Sequence, residues 1–108
     1  MGTSRIAGFY NLGIEKRIEQ AAAAAQLAPD EISAWVTGGI DTEAADHMIE
    51  NVIGLHTLPL GLGLNFQING RDVLVPMAIE EPSVVAGASF MAKLARAGAV
   101  FRPLPAPP

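Results

Sequence analysis

The chain has 108 residues, half of them apolar and 17% charged, with no cysteine and a formal net charge of −4. A chain this short forms one domain at most and hides only about two thirds of its unfolded surface, so so high an apolar fraction implies that a partner covers part of it. The acidic balance and the scatter of its seven Lys and Arg residues argue against a nucleic-acid surface, and the lack of thiols excludes a disulfide framework and a thiolate zinc site. Met1-Gly2-Thr3-Ser4-Arg5 is not followed by an apolar leader, and no run approaches the ~18 apolar residues of a membrane span, so the expected setting is cytoplasmic, with no membrane contact.

Residues 4–12 form a short lead bearing Phe9 and Tyr10, read as an arm. From Gly13 the pattern turns helical, with Ile14, Ile18, Ala21, Ala22 and Ala25 on one face and Glu15, Lys16, Arg17, Glu19 and Gln20 on the other. Pro29-Asp30-Glu31 opens a second, shorter helix with its acids in the first turn, where the helix dipole favours them, and Gly38-Gly39 ends it. Trp35, the only tryptophan, is expected to pack. Asp41 suits the N-cap of a third helix, with Ala44, Ala45, Met48, Ile49, Val52 and Ile53 on its apolar side and Glu43, Asp46, His47 and Glu50 opposite. Glu50-Asn51-Val52-Ile53-Gly54 closes that helix. The spacing of Glu43, His47 and Glu50 would permit metal ligation, but nothing elsewhere completes a site and a solvated helix face has the same pattern, so no metal is expected.

Residues 55–68 read as a strand, Asn69-Gly70 as a turn and residues 73–79 as the returning strand. Asn-Gly between two apolar runs signals a hairpin because a type I′ turn needs two successive residues that tolerate positive φ. One long hairpin would carry Glu50 at one end and Glu81 at the other and could present both carboxylates at one edge. Gly61 and Gly63 do not make a dinucleotide loop, since the third glycine would fall at Phe66 and no helical pattern follows; in a strand they mark a bulge or a close approach of another backbone.

Pro82 opens the last helix, residues 82–97, in which Ser89, Lys93 and Arg96 form one narrow polar stripe and nearly everything else is apolar, as in a buried helix. Val84, Val85, Phe90, Met91 and Leu94 need cover that 108 residues do not supply, so the isolated chain is expected to self-associate or aggregate. Glu81, just ahead of that helix, is either its cap or a polar group beside a helix start that favours anions. The expected fold class is α+β: N-terminal helices, one long β-hairpin and a buried helix.

Four stretches carry a family likeness: Glu50-Asn51-Val52-Ile53-Gly54, Asn65-Phe66-Gln67-Ile68-Asn69-Gly70-Arg71-Asp72, Glu80-Glu81-Pro82-Ser83 and Met91-Ala92-Lys93-Leu94-Ala95-Arg96. In their order and spacing the chain resembles hydroxymethylglutaryl-CoA reductase from about Ser4 to Phe101, most closely the bacterial degradative class (class II). Pro82-Ser83 stands where the eukaryotic class carries Gly-Cys. The resemblance implies that residues 1–101 are the N-terminal part of the family's large, substrate-binding domain. It makes Glu81 the catalytic glutamate that exchanges a proton with the substrate oxygen beside a lysine, and Ser83 a substrate contact. It makes Glu50, Asn51, Val52, Ile53 and Gly54 the dimer motif beside the active site, with Glu50 nearest the thioester. Tyr10 stands where a related sequence has a basic CoA contact, and Lys93 and Arg96 carry no site role.

The same resemblance implies 3-hydroxy-3-methylglutaryl-CoA, mevalonate and CoA as ligands, a homodimer, and NAD(H) as cofactor, held by parts that this chain lacks. The family's catalytic lysine, aspartate and histidine also fall outside it, and Arg102-Pro103-Leu104-Pro105-Ala106-Pro107-Pro108 is a proline-rich tail unlike the family. The expectation is therefore an N-terminal fragment from an incomplete or frameshifted gene, inactive alone. A stand-alone dimeric interaction module and a small acidic ligand-binding domain anchored by Glu81 are the alternatives.

Overall fold

Three short helices lead into two small antiparallel ladders and a long closing helix in the computed structural model, which describes residues 3–98. A 3₁₀ turn, Phe9–Asn11, ends the arm and precedes α1, Ile14–Ala25. Ala21 and Ala22 of α1 are buried, and Gln26, at φ 56°, turns the chain out through a left-handed cap in which the Leu27 amide donates to the Ala22 carbonyl at 2.9 Å. α2, Pro29–Thr37, starts on its proline, and the Glu31 carboxylate accepts from the Ala28 amide at 3.1 Å. It ends at Gly38, φ 94°. Trp35, expected to pack, keeps 39% of its surface exposed.

α3, Thr42–Met48, begins as expected, with Asp41 Oδ1 accepting from the Ala44 amide at 2.8 Å. It ends earlier than expected. Ile49 is extended and Asn51 sits at φ 57°, so Val52 and Ile53 lie outside the helix. Asparagine tolerates the left-handed region, and two successive β-branched residues give the helix little reason to continue.

The long hairpin is also shorter than expected. β1, Leu60–Gly63, pairs with β4, Val75–Ala78, in the register Leu60↔Ala78 to Gly63↔Val75. Residues 55–59 lie outside the ladder: Pro59 has no amide to donate, and its carbonyl takes the last bond, from the Ile79 amide at 3.2 Å. Around the turn, β2, Gln67–Ile68, pairs with β3, Arg71–Asp72, and Asn69 and Gly70 take φ 53° and 76° as the turn requires. Between the ladders residues 64, 65 and 66 stand opposite 73 and 74, so the first strand carries one extra residue, a β-bulge with Asn65 at φ 69°.

α4, Val84–Gly98, starts two residues later than expected, because Ser83 at φ 72° is not helical; the Ser83 carbonyl accepts the first helical bond, from the Gly87 amide at 2.8 Å. It lies directly on β1. A Cβ at Gly61 would meet Val85 Cγ2 at 2.9 Å, and one at Gly63 would meet the Phe66 ring at 3.1 Å and the Val75 carbonyl at 3.2 Å. Among the described residues the expected buried helix is thus covered on one side only, with Ala92 fully buried and Phe90, Met91 and Leu94 exposed by 58%, 57% and 54%. The sequence-based reading of the proline-rich tail, residues 102–108, falls outside the described residues.

Gly61→Ala should destabilise the fold by about 1–3 kcal/mol through overpacking against Val85. Gly39→Ala, with open space around it, should not. Urea unfolding midpoints of the two variants provide the check.

Candidate active site

The hairpin, the arm and α4 meet at one hydrogen-bonded node. Arg96 reaches from α4 to Asp72 of β3, with Nη2 at 2.9 and 3.1 Å from the two carboxylate oxygens. Its Nη1 donates to the Ser4 hydroxyl at 3.2 Å and to the Asn65 carbonyl in the bulge at 3.1 Å. Ser4, fully buried, donates its amide to Asp72 at 2.9 Å and its hydroxyl to the Phe66 carbonyl at 2.7 Å. Its own carbonyl accepts from the Asn65 amide at 2.8 Å. About two turns back on α4, the Ser89 hydroxyl accepts from the Leu64 amide, and its carbonyl accepts from the Asn65 side-chain amide.

Two members of the expected polar stripe, Ser89 and Arg96, therefore face inward and anchor the helix, while large apolar residues face out. The sequence implies a helix buried on several sides and does not say which side the stripe faces. The Ser4 amide above all, with the Thr3 hydroxyl and Arg96 adding to it against the opposing effect of burial, holds the Asp72 carboxyl at about 2, below its usual 3.8.

From this anchored frame the candidate site residues project at its margins. Glu81 follows the last ladder bond and precedes the Pro82-Ser83 turn into α4, so ordered backbone fixes it on both sides. Its side chain is exposed and accepts no hydrogen bond from the α4 amides among the described residues, so it is not a cap of that helix. Ser83 is exposed and left-handed, the conformation of the third residue of a type II turn, where glycine or asparagine is usual.

Glu50, Asn51, Ile53 and Gly54 are exposed and Val52 half-buried. The segment folds back along the acidic side of α3, where Thr42, Glu43, Asp46, Val52, Ile53 and Gly54 line an open groove of about 430 Å³. The sequence suggested that one hairpin carries both carboxylates, but the ladder holds only Glu81, three residues beyond Ala78, and residues 51–59, outside the ladder, separate Glu50 from Leu60. No group of three or more potential metal ligands occurs among the described residues, Glu43, His47 and Glu50 included. A second open groove, about 580 Å³, runs between the arm and α4; Thr3, Arg5, Gly8, Asn65 and Lys93 lie on its walls with no carboxylate among its lining residues, a setting that favours an anion.

Sequence reasoning missed Arg96. Its signal was present in the spacing of Ser89 and Arg96 on one helix face, together with an acid after the Asn-Gly turn, but that spacing does not say which face turns inward.

The fold and its margins define a segment of an α+β domain that displays an acid at the exit of a bulged hairpin and leaves its long helix half-covered. The sequence profile of the family described as hydroxymethylglutaryl-coenzyme A reductase matches residues 13–103, and the chain belongs to that family. The 3-hydroxy-3-methylglutaryl-coenzyme A reductase of Archaeoglobus fulgidus is 52% identical over 99 residues, which are 92% of this chain and 23% of that protein. A probable 3-hydroxy-3-methylglutaryl-coenzyme A reductase of Borreliella burgdorferi is 48% identical over 48 residues, 44% of this chain and 11% of that protein. Among solved structures, the class II reductase of Streptococcus pneumoniae bound to NADPH in open conformations superposes with a TM-score of 0.75 at 34% identity, covering 84% of this chain and 25% of its own. A second reductase structure from that organism gives a TM-score of 0.76 at 34% identity, with 84% and 22% covered. The chain thus spans at most about a quarter of the length of these relatives.

Asp72 ionises more readily folded than unfolded, so the node adds stability above about pH 4 and loses it as pH falls through 2. The contribution is about 2 kcal/mol. Asp72→Asn should remove that pH dependence and lower stability at neutral pH, read from urea unfolding between pH 7 and 2; an unchanged acid limb would refute the assignment.

Proposed function

We propose that this chain supplies part of the active site of an enzyme interconverting 3-hydroxy-3-methylglutaryl-CoA with mevalonate and CoA. The single observation that supports this most is Glu81: ordered backbone holds it on both sides, its carboxylate has no hydrogen-bond partner among the described residues, and it lies in the family's Glu-Pro-Ser pattern. In this reading Glu81 exchanges a proton with the substrate oxygen, Ser83 contacts the substrate, and Glu50 lies nearest the thioester. Asn51, Val52, Ile53 and Gly54 lie at a homodimer interface beside the site. The groove bearing Arg5 and Lys93 suits the phosphates of the CoA ester.

Reducing the thioester to a primary alcohol consumes two hydrides and two protons and releases the CoA thiol. A nicotinamide supplies the hydrides when bound. Among the described residues Gly61 and Gly63 do not form a dinucleotide loop, since they lie within β1 and no helix follows it directly. In this reading, as the family resemblance implies, the cofactor is held by the length of the relatives that this chain does not span. Resemblance to the degradative class favours NADH, while the pneumococcal relative binds NADPH. The residues supplied here position the substrate oxygen and move its proton; residues 1–101 in this reading belong to the large, substrate-binding domain. Among the described residues no helix is long and apolar enough to cross a membrane.

In a full-length reductase carrying this segment, Glu81→Gln keeps size and much of the hydrogen bonding but cannot exchange the proton. The expected outcome is substrate binding retained, an unchanged melting temperature, and kcat lowered by roughly 10² to 10⁴. Near wild-type kcat would show that the acid comes from elsewhere.

A second reading, the stand-alone dimeric module, draws on the exposure of Met48 at the end of α3 and of Ile49 and Ile53 just past it. Ile53→Asp should weaken self-association at least tenfold if this edge is the interface, an order-of-magnitude expectation for an anchor residue. Sedimentation equilibrium reads it directly.

A further inference from the structure

Among the described residues α4 is tethered on one side and bare on the other. Ser89 and Arg96 bind the bulge and Ala92 is buried, whereas Ala86, Gly87, Phe90, Met91 and Leu94 are all exposed on the opposite face. Their spacing of i, i+1, i+4, i+5 and i+8 makes one continuous stripe along the helix, with small residues toward its start and large ones toward its end.

Gly87 is the telling member. Gly61 and Gly63 each lack a Cβ for a reason inside the chain, because a neighbour already fills that space, but among the described residues nothing approaches the Cβ position of Gly87 within 4 Å. Its φ is not in the left-handed region, so the backbone does not call for glycine either. An interior glycine is the least favourable helix residue after proline, and its usual compensation is the close approach of another element. A bare notch flanked by Phe90, Met91 and Leu94 has the make-up of an interior packing face, not of a solvated one.

The relatives indicate what fills it. They share this fold at a TM-score of 0.75, and this chain superposes on only 25% of the pneumococcal structure's length. We infer that the outer face of α4 is a docking face for the remaining three quarters of the reductase fold, seated on Gly87 and gripped by Phe90, Met91 and Leu94, and able to assemble in trans when the two parts are separate polypeptides. The inference rests on family membership and on packing, not on the chemistry assigned to Glu81.

The test co-expresses the tagged 108-residue chain with the part of the Archaeoglobus fulgidus reductase that lies beyond the matched segment, followed by size-exclusion chromatography with light scattering. The expected result is one co-eluting one-to-one species. Gly87→Leu and Leu94→Glu should each reduce co-elution at least tenfold, and Glu19→Lys on α1 should leave it unchanged. Gly87→Leu replaces a poor helix former with a good one, so an unchanged or higher melting temperature of the isolated variant separates lost docking from lost folding. Separate elution of the two parts, or full docking by Gly87→Leu, would overturn the inference. So would self-association that Gly87→Leu abolishes and the added polypeptide does not displace, since the occupant would then be a second copy. Docking without reductase turnover would count against the proposed chemistry and leave the docking face standing.

Discussion

The ion pair between Arg96 and Asp72 is the interaction on which the rest of this structure depends. A guanidinium offers five donors in a fixed plane, and here two of its nitrogens satisfy three separate elements: the β3 carboxylate, the bulge carbonyl and the Ser4 hydroxyl of the arm. A lysine has one nitrogen and cannot span that arrangement. The described apolar core is slight, with Ala21, Ala22, Ala45 and Ala92 its only buried members. Three elements that share little apolar surface are therefore tied by polar geometry. Such a node stabilises only when every group has a partner, and no buried side-chain nitrogen or oxygen among the described residues lacks one.

The node also explains why candidate site residues sit at the margins of the fold. Ser4, Asn65, Asp72, Ser89 and Arg96 use their polar groups on one another. Glu50, Glu81 and Ser83 are engaged in no comparable bond among the described residues, and backbone order, not side-chain contact, holds Glu81 in place. Separating structural polar groups from chemically available ones in this way allows an acid to face a ligand without competing for duties in the fold.

Much of the architecture was legible where a local rule decides it. Asn69-Gly70 forms the turn, Asp41 caps α3 and Pro29 opens α2, while of the expected inner face of α1 only Ala21 and Ala22 are buried and Ile14 and Ala25 stay exposed. What was not legible depends on distant partners or on small backbone choices. The ladder stops at Pro59, α3 stops at Met48 where Ile49 goes extended, with Asn51 left-handed just beyond, and α4 waits for Val84 because Ser83 is left-handed. The inward facing of Arg96 was hidden because a polar stripe on a helix reads the same whether it meets water or a carboxylate. The roles of Glu81, Ser83 and Glu50 were never a matter of periodicity, since only the family pattern singles them out from other exposed polar residues.

The extra residue between the two ladders has a consequence for how this sequence can drift. Because Asn65 lies outside the pairing, its amide and carbonyl are free to engage Ser4 and Arg96, and only its third bond, to the Ser89 carbonyl, uses the side chain. Main-chain atoms are common to all residues except for the missing amide of proline. The stretch can therefore exchange letters among residues that accept a left-handed backbone and still hold the arm and helix. Losing a single position would close the ladder and withdraw both main-chain anchors at once. In a lineage, residues 64–66 should be conserved in number more strictly than in kind, an indel constraint that a tally of substitutions would not reveal.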